Sequence, residues 1–133
     1  MSIILAIDYG LARIGLAISY VGLAEPLKVI KNDLTASKLI IGDQALEEIK
    51  NIIEKEKVEK IVLGISEQEM AKKTLEFSEH LKSLFSLDVI LVDEALSSYE
   101  VEQRLKELPK KNRRQAIDHY AAAIILENYL DLC

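Results

Sequence analysis

Short, unbroken apolar runs that stop abruptly at an acid or a glycine constrain this chain more than any other feature. The first, Ile3-Ile4-Leu5-Ala6-Ile7, ends at Asp8, and Gly10 opens a turn two residues further on. A strand without alternating polar residues has no face suited to water, so this run predicts a strand covered on both sides. Lys60 to Ile65, closing at Gly64, and Asp88 to Val92 repeat the pattern. Strands of this kind belong to sheets with helices packed on them, which places the chain in the α/β class.

Two further strands are predicted, Ile14 to Ser19 and Leu23 to Ile30; Pro26 puts the second at a sheet edge or a bulge. The short links between the first three strands predict an antiparallel meander. Helical spacing then takes over. Leu46, Ile49, Ile52 and Ile53 form a stripe within Asp43 to Lys57, with Asp43 as candidate cap. Met70, Phe77, Leu81 and Leu84 form another between Glu67 and Phe85. Val101, Leu105 and Leu108 mark a helix that Pro109 ends, and a last helix runs from about Arg114 to Asp131. Residues 31–42 carry no clear pattern. The order βββαβαβαα implies a mixed five-stranded sheet flanked by helices. No repeat, low-complexity tract or linker divides the 133 residues, so a single domain spanning 1–133 is expected.

No apolar stretch approaches the roughly 20 residues that cross a bilayer, and the opening MSIILAIDYG lacks the marks of a secretory signal. Cys133 is the single cysteine, which excludes an internal disulfide. A cytoplasmic protein is expected, without a membrane partner. The net charge of −5 argues against a general nucleic-acid binder, whose affinity comes from cationic patches. The distribution is uneven, however. Lys110, Lys111, Arg113 and Arg114 crowd one short stretch with no acid among them, enough to grip phosphate at one edge.

Three acidic positions carry the candidate chemistry. Asp8 closes the first strand in the string Asp8-Tyr9-Gly10-Leu11-Ala12-Arg13-Ile14-Gly15. A carboxylate there can meet a cation while the glycine lets backbone approach a phosphate; a strand-ending Asp is also a common turn residue. Arg13 is a candidate phosphate clamp. Asp93 and Glu94 close the fifth strand, and because side chains alternate, only one of them shares a face with a given partner. Parity groups Ile90, Val92 and Glu94 against Val89, Leu91 and Asp93, and periodicity leaves open which group faces the site. Asp118 precedes a run of alanines, and small residues at Ala121 and Ala122 would let its helix lie close to the sheet. Gathered together, such acids repel one another unless a cation joins them, and their hard oxygens suit Mg²⁺ or Mn²⁺. That chemistry points to phosphodiester hydrolysis.

These blocks resemble the YqgF/RuvX family of RNase H-like nucleases across nearly the whole chain. The resemblance rests on Asp8-Tyr9-Gly10 with Arg13-Ile14-Gly15, on Ile61-Val62-Leu63-Gly64, on Val92-Asp93-Glu94, and on Asp118 with Ala121-Ala122-Ala123 and Ile125-Leu126. It implies an RNase H-like mixed sheet and a divalent-metal nuclease associated with the 5′ end of precursor 16S rRNA. It also selects Glu94 from the acidic pair, so that Asp8, Glu94 and Asp118 become the catalytic, metal-holding acids. Two Mg²⁺ or Mn²⁺ ions about 4 Å apart would then serve hydrolysis, with Arg13, Lys110, Lys111, Arg113 and Arg114 on flanking phosphates. Two departures stand out. Ala95 replaces the arginine of the family's Asp-Glu-Arg string, and Gly64-Ile65-Ser66 lacks its Gly-x-Pro.

Three other readings remain. One is a Holliday junction resolvase-like DNA endonuclease; another is a weakly or non-catalytic RNA-binding factor of ribosome assembly. The third, an actin-like or sugar-kinase-like phosphotransferase, needs two lobes and more chain than this. Neither composition nor motifs separate a monomer from a homodimer.

Overall fold

The computed structural model describes residues 2–32, 41–65, 70–93 and 113–132; within these, the side chains at 70, 93, 113–119 and 132 fall outside the description. The elements are β1 (Ile4–Asp8), β2 (Arg13–Ser19), β3 (Ala24–Lys31), α1 (Asp43–Glu56), β4 (Lys60–Ile65), α2 (Met70–Phe85), β5 (Asp88–Asp93) and α3 (Arg113–Leu132). The helix expected around Val101 to Leu108 lies outside the described residues. Among the described residues, no helix is long and apolar enough to cross a membrane.

The five strands form one sheet in the order β3-β2-β1-β4-β5. β1 pairs antiparallel with β2 and β2 with β3, while β1–β4 and β4–β5 are parallel. The expected meander followed by parallel βα units is therefore present. β1 is the middle strand, and Leu5, Ala6 and Ile7 are all 0% exposed, which is why its sequence has no polar alternation. Pro26 lies on the edge strand β3 opposite Ala17, where the register slips between Leu16 and Ala17. The missing N–H of proline is tolerated at such an edge bulge.

Side-chain alternation divides the core into two. On one face Leu5, Ile7, Tyr9, Ile14, Leu16, Ile18, Ile61 and Leu63 pack against Ala45, Ile49 and Ile53 of α1 and Phe77 and Leu81 of α2. On the other, Ile4, Ala6, Ala17 and Val62 pack against Ala122, Ala123, Ile125 and Leu126 of α3, with Val92 alongside. The buried alanines of α3 are Ala122 and Ala123, whereas Ala121 is only half-buried. The close contact therefore falls one residue later than the sequence suggests. The short methyls let α3 lie across all five strands.

Two helix expectations need correction. Asp43 does not cap α1: Gly42 is the N-cap, without a side-chain cap bond, and Asp43 begins the first turn. An acid there still favours the positive end of the helix dipole. Leu84, assigned to the buried stripe of α2, is 48% exposed. The inward stripe is Thr74, Phe77, Ser78 and Leu81, with Phe85 taking the next inward place, so Leu84 is rotated to the flank.

Phe77, wholly buried between α2 and the end of β1, carries much of the first core. Phe77→Ala is expected to destabilise the fold by about 3–5 kcal/mol, read as a lower midpoint in urea denaturation.

Candidate active site

The carboxyl end of β1 is built by opposite demands on neighbouring residues. Tyr9 is 6% exposed and stacks on Phe77 with ring centroids 4.5 Å apart and planes inclined at 24°. Stacked rings of this kind contribute about 1 kcal/mol beyond area burial. Tyr9 thus continues the row Leu5-Ile7 on the face covered by α1 and α2. Alternation turns Asp8 the other way, into line with Ile4 and Ala6 on the α3 face. Asp8 is half-buried there.

The residues beside Asp8 in the sheet are both glycines. Gly15 of β2 stands directly opposite, and Gly64 of β4 comes one position after the Ile7–Leu63 pair. The two in-register positions beside Asp8 therefore carry no side chain. The link from β1 to β2 is equally tight: a Cβ on Gly10 would lie 2.5 Å from the Arg13 carbonyl oxygen. A half-buried hard-oxygen donor between two glycine positions fits a small, hard cation.

Arg13 opens β2 as an exposed residue, and the register places it on the Asp8 face, directly across from Lys31 of β3. Sequence reading missed Lys31, because the expected strand stopped at Ile30 and only the pairing register brings Lys31 beside Arg13. In β5, Val92 packs with Ala6 and Val62 on the α3 side, while Val89 packs on the opposite side. The even positions of β5 thus share the face of Asp8. Position 118 lies within α3, one turn before Ala122 and two before Ile125.

Glu94, Lys110 and Lys111 lie outside the described residues, as do the side chains of Asp118, Arg113 and Arg114; the last two begin α3. Among the described residues no group of three metal-ligating side chains occurs, and Asp8 is the one predicted acid whose side chain is described.

The layer order, with three antiparallel strands, two parallel additions and helices on both faces, is that of the RNase H-like fold. Thermus thermophilus RuvC in complex with Holliday junction substrate superposes with a TM-score of 0.59 at 14% identity, covering 99% of this chain and 95% of that one. The fowlpox virus Holliday junction resolvase gives a TM-score of 0.55 at 15% identity, covering 98% of each chain. Likeness at these identities concerns the fold alone. Sequence carries the relationship further: residues 2–132 match the family described as "RuvX: Holliday junction resolvase", and the chain belongs to that family. A protein of Sulfurihydrogenibium sp. named "Putative pre-16S rRNA nuclease" is 38% identical over 98% of this chain and 91% of its own length. One of the same name from Thermoanaerobacter pseudethanolicus is 34% identical over 96% of this chain and 95% of its own.

Burial pushes the Tyr9 hydroxyl up to about 12, helped by the Glu76 carboxylate. Between pH 10 and 12 the unfolded tyrosine gives up its proton while the folded one keeps it. The stabilisation is complete below pH 10 and is lost as pH rises through 12. Tyr9→Phe is expected to flatten the fall of the urea midpoint across that window; an unchanged slope would contradict the burial of Tyr9.

Proposed function

We propose that this chain is a divalent-metal-dependent nuclease acting on precursor 16S rRNA near its 5′ end. The observation that carries the proposal is the placement of Asp8. It is a half-buried carboxylate at the end of a strand buried on both faces, turned toward α3, with glycine on either side. Membership of the RuvX family supports action on nucleic acid, and the shared name of its curated relatives supports precursor rRNA as the substrate class.

In this reading Asp8, Glu94 and Asp118 hold Mg²⁺ or Mn²⁺. For Glu94 the support is alternation, since Val92 two positions earlier faces α3. For Asp118 it is the helical stripe shared with Ala122 and Ile125. When bound, divalent ions supply a water of lowered pKa and charge stabilisation at the departing oxygen. The chain's own part is to fix the scissile phosphodiester against that water. Arg13 and Lys31, facing each other across β2 and β3, hold phosphate oxygens beside Asp8. Lys110, Lys111, Arg113 and Arg114 hold the backbone beyond, by charge and without reading sequence. No side-chain nucleophile takes part. Cleavage of a four-way DNA junction is supported by the family's description and by likeness of fold, but the curated relatives share the rRNA name and fold does not select a substrate.

Asp8→Asn keeps the side-chain size and removes the charge. It is expected to lower Mg²⁺-dependent cleavage of precursor rRNA by more than about 100-fold, beyond the roughly 10–100-fold typical of groups that only support ligands. Its circular dichroism should match that of the wild type. Undiminished cleavage by this variant rules the assignment out.

A further inference from the structure

Asn32 is a buried polar residue that the proposed chemistry does not use. It is 5% exposed and closes β3 just after Lys31. Its Nδ2 donates to the Gly10 carbonyl at 2.9 Å, and its Oδ1 accepts from the Gly42 N–H at 2.9 Å. Its own backbone N–H donates to the Ala12 carbonyl, also at 2.9 Å. Three stretches thus meet on one side chain and its peptide: the Asp8–Arg13 link, the end of β3, and Gly42, the N-cap of α1.

Gly10 and Ala12 lie within the link that joins Asp8 to Arg13. Nothing regular holds such a link, because its residues belong to neither strand. Asn32 binds two of its carbonyls from below, and through Gly42 it anchors them to α1, whose Ala45, Ile49 and Ile53 are locked into the core. The chemistry requires an amide. Asp has no donor for Gly10, Ser is too short to span both partners, and Ala leaves the part-buried Gly10 carbonyl and the buried Gly42 N–H unmatched.

We infer that Asn32 is a positioning residue for the divalent-cation site: it holds the Asp8–Arg13 link in the one shape that presents the Asp8 carboxylate to the ion. This rests on the reading of Asp8 as a metal-holding residue. Freeing the link lowers the fraction of molecules in the binding-competent shape, and apparent affinity falls by that fraction.

The test compares Mn²⁺ binding to wild type, Asn32→Ala and Asp8→Asn without substrate, by the electron paramagnetic resonance of free Mn²⁺. Asn32→Ala is charge-neutral, so it alters no electrostatic attraction. It is expected to weaken Mn²⁺ by about tenfold, and its cleavage should recover toward the wild-type kcat at raised Mg²⁺. Asp8→Asn should not recover. If Asn32→Ala binds Mn²⁺ like the wild type while Asp8→Asn does not, the positioning role is overturned and the Asp8 reading survives. If Asp8→Asn also binds like the wild type, the Asp8 reading itself fails and the inference falls with it. Should Asn32→Ala not fold, wild-type protein gives the answer by reciprocity. Saturating Mg²⁺ should slow hydrogen exchange of the Gly42 N–H several-fold, and unchanged exchange would overturn the inference.

Discussion

The structure depends on β1 being buried from both sides. Its middle residues have no contact with water, so polar chemistry is excluded along the strand and admitted only where the strand ends. Tyr9 then goes to the α2 side, where Phe77 receives its ring. Alternation sends Asp8 to the α3 side. The position of one carboxylate is thus a consequence of hydrophobic burial next to it. Disturbing the packing of Tyr9 on Phe77 would disturb the candidate site without touching any charged group.

The same logic gives meaning to the glycines that punctuate the sequence. Gly15 and Gly64 flank Asp8 in the sheet without adding side chains beside it, and Gly10 lets the link fold back against the Arg13 carbonyl. Gly64 keeps this place although the residues after it depart from the family's Gly-x-Pro.

Much of the fold was legible because its signals are local. Unbroken apolar runs marked β1, β4 and β5, Pro26 marked the edge and bulge of β3, and the stripe of α1 fell where periodicity put it. What sequence could not supply were relations set by distant partners. Asp43 looked like a cap, but the N-cap is Gly42, whose own N–H is held by Asn32 ten residues earlier. Leu84 lost the inward place to Phe85 because a stripe's centre depends on what it packs against. Lys31 became a site candidate only through its register with Arg13. For the acids, the packing of Val92 against the α3 cluster gives the face of the even positions of β5, while Glu94 itself lies outside the described residues.

The central claim is that Asp8, Glu94 and Asp118 share bound divalent ions although they are far apart in the chain. A crystal structure of the wild-type protein grown with Mn²⁺, with its anomalous difference map, tests it most directly. The expected result is manganese at the carboxyl end of β1, bound by oxygens of all three carboxylates. Manganese found elsewhere, or coordinated there without Asp8, would contradict it.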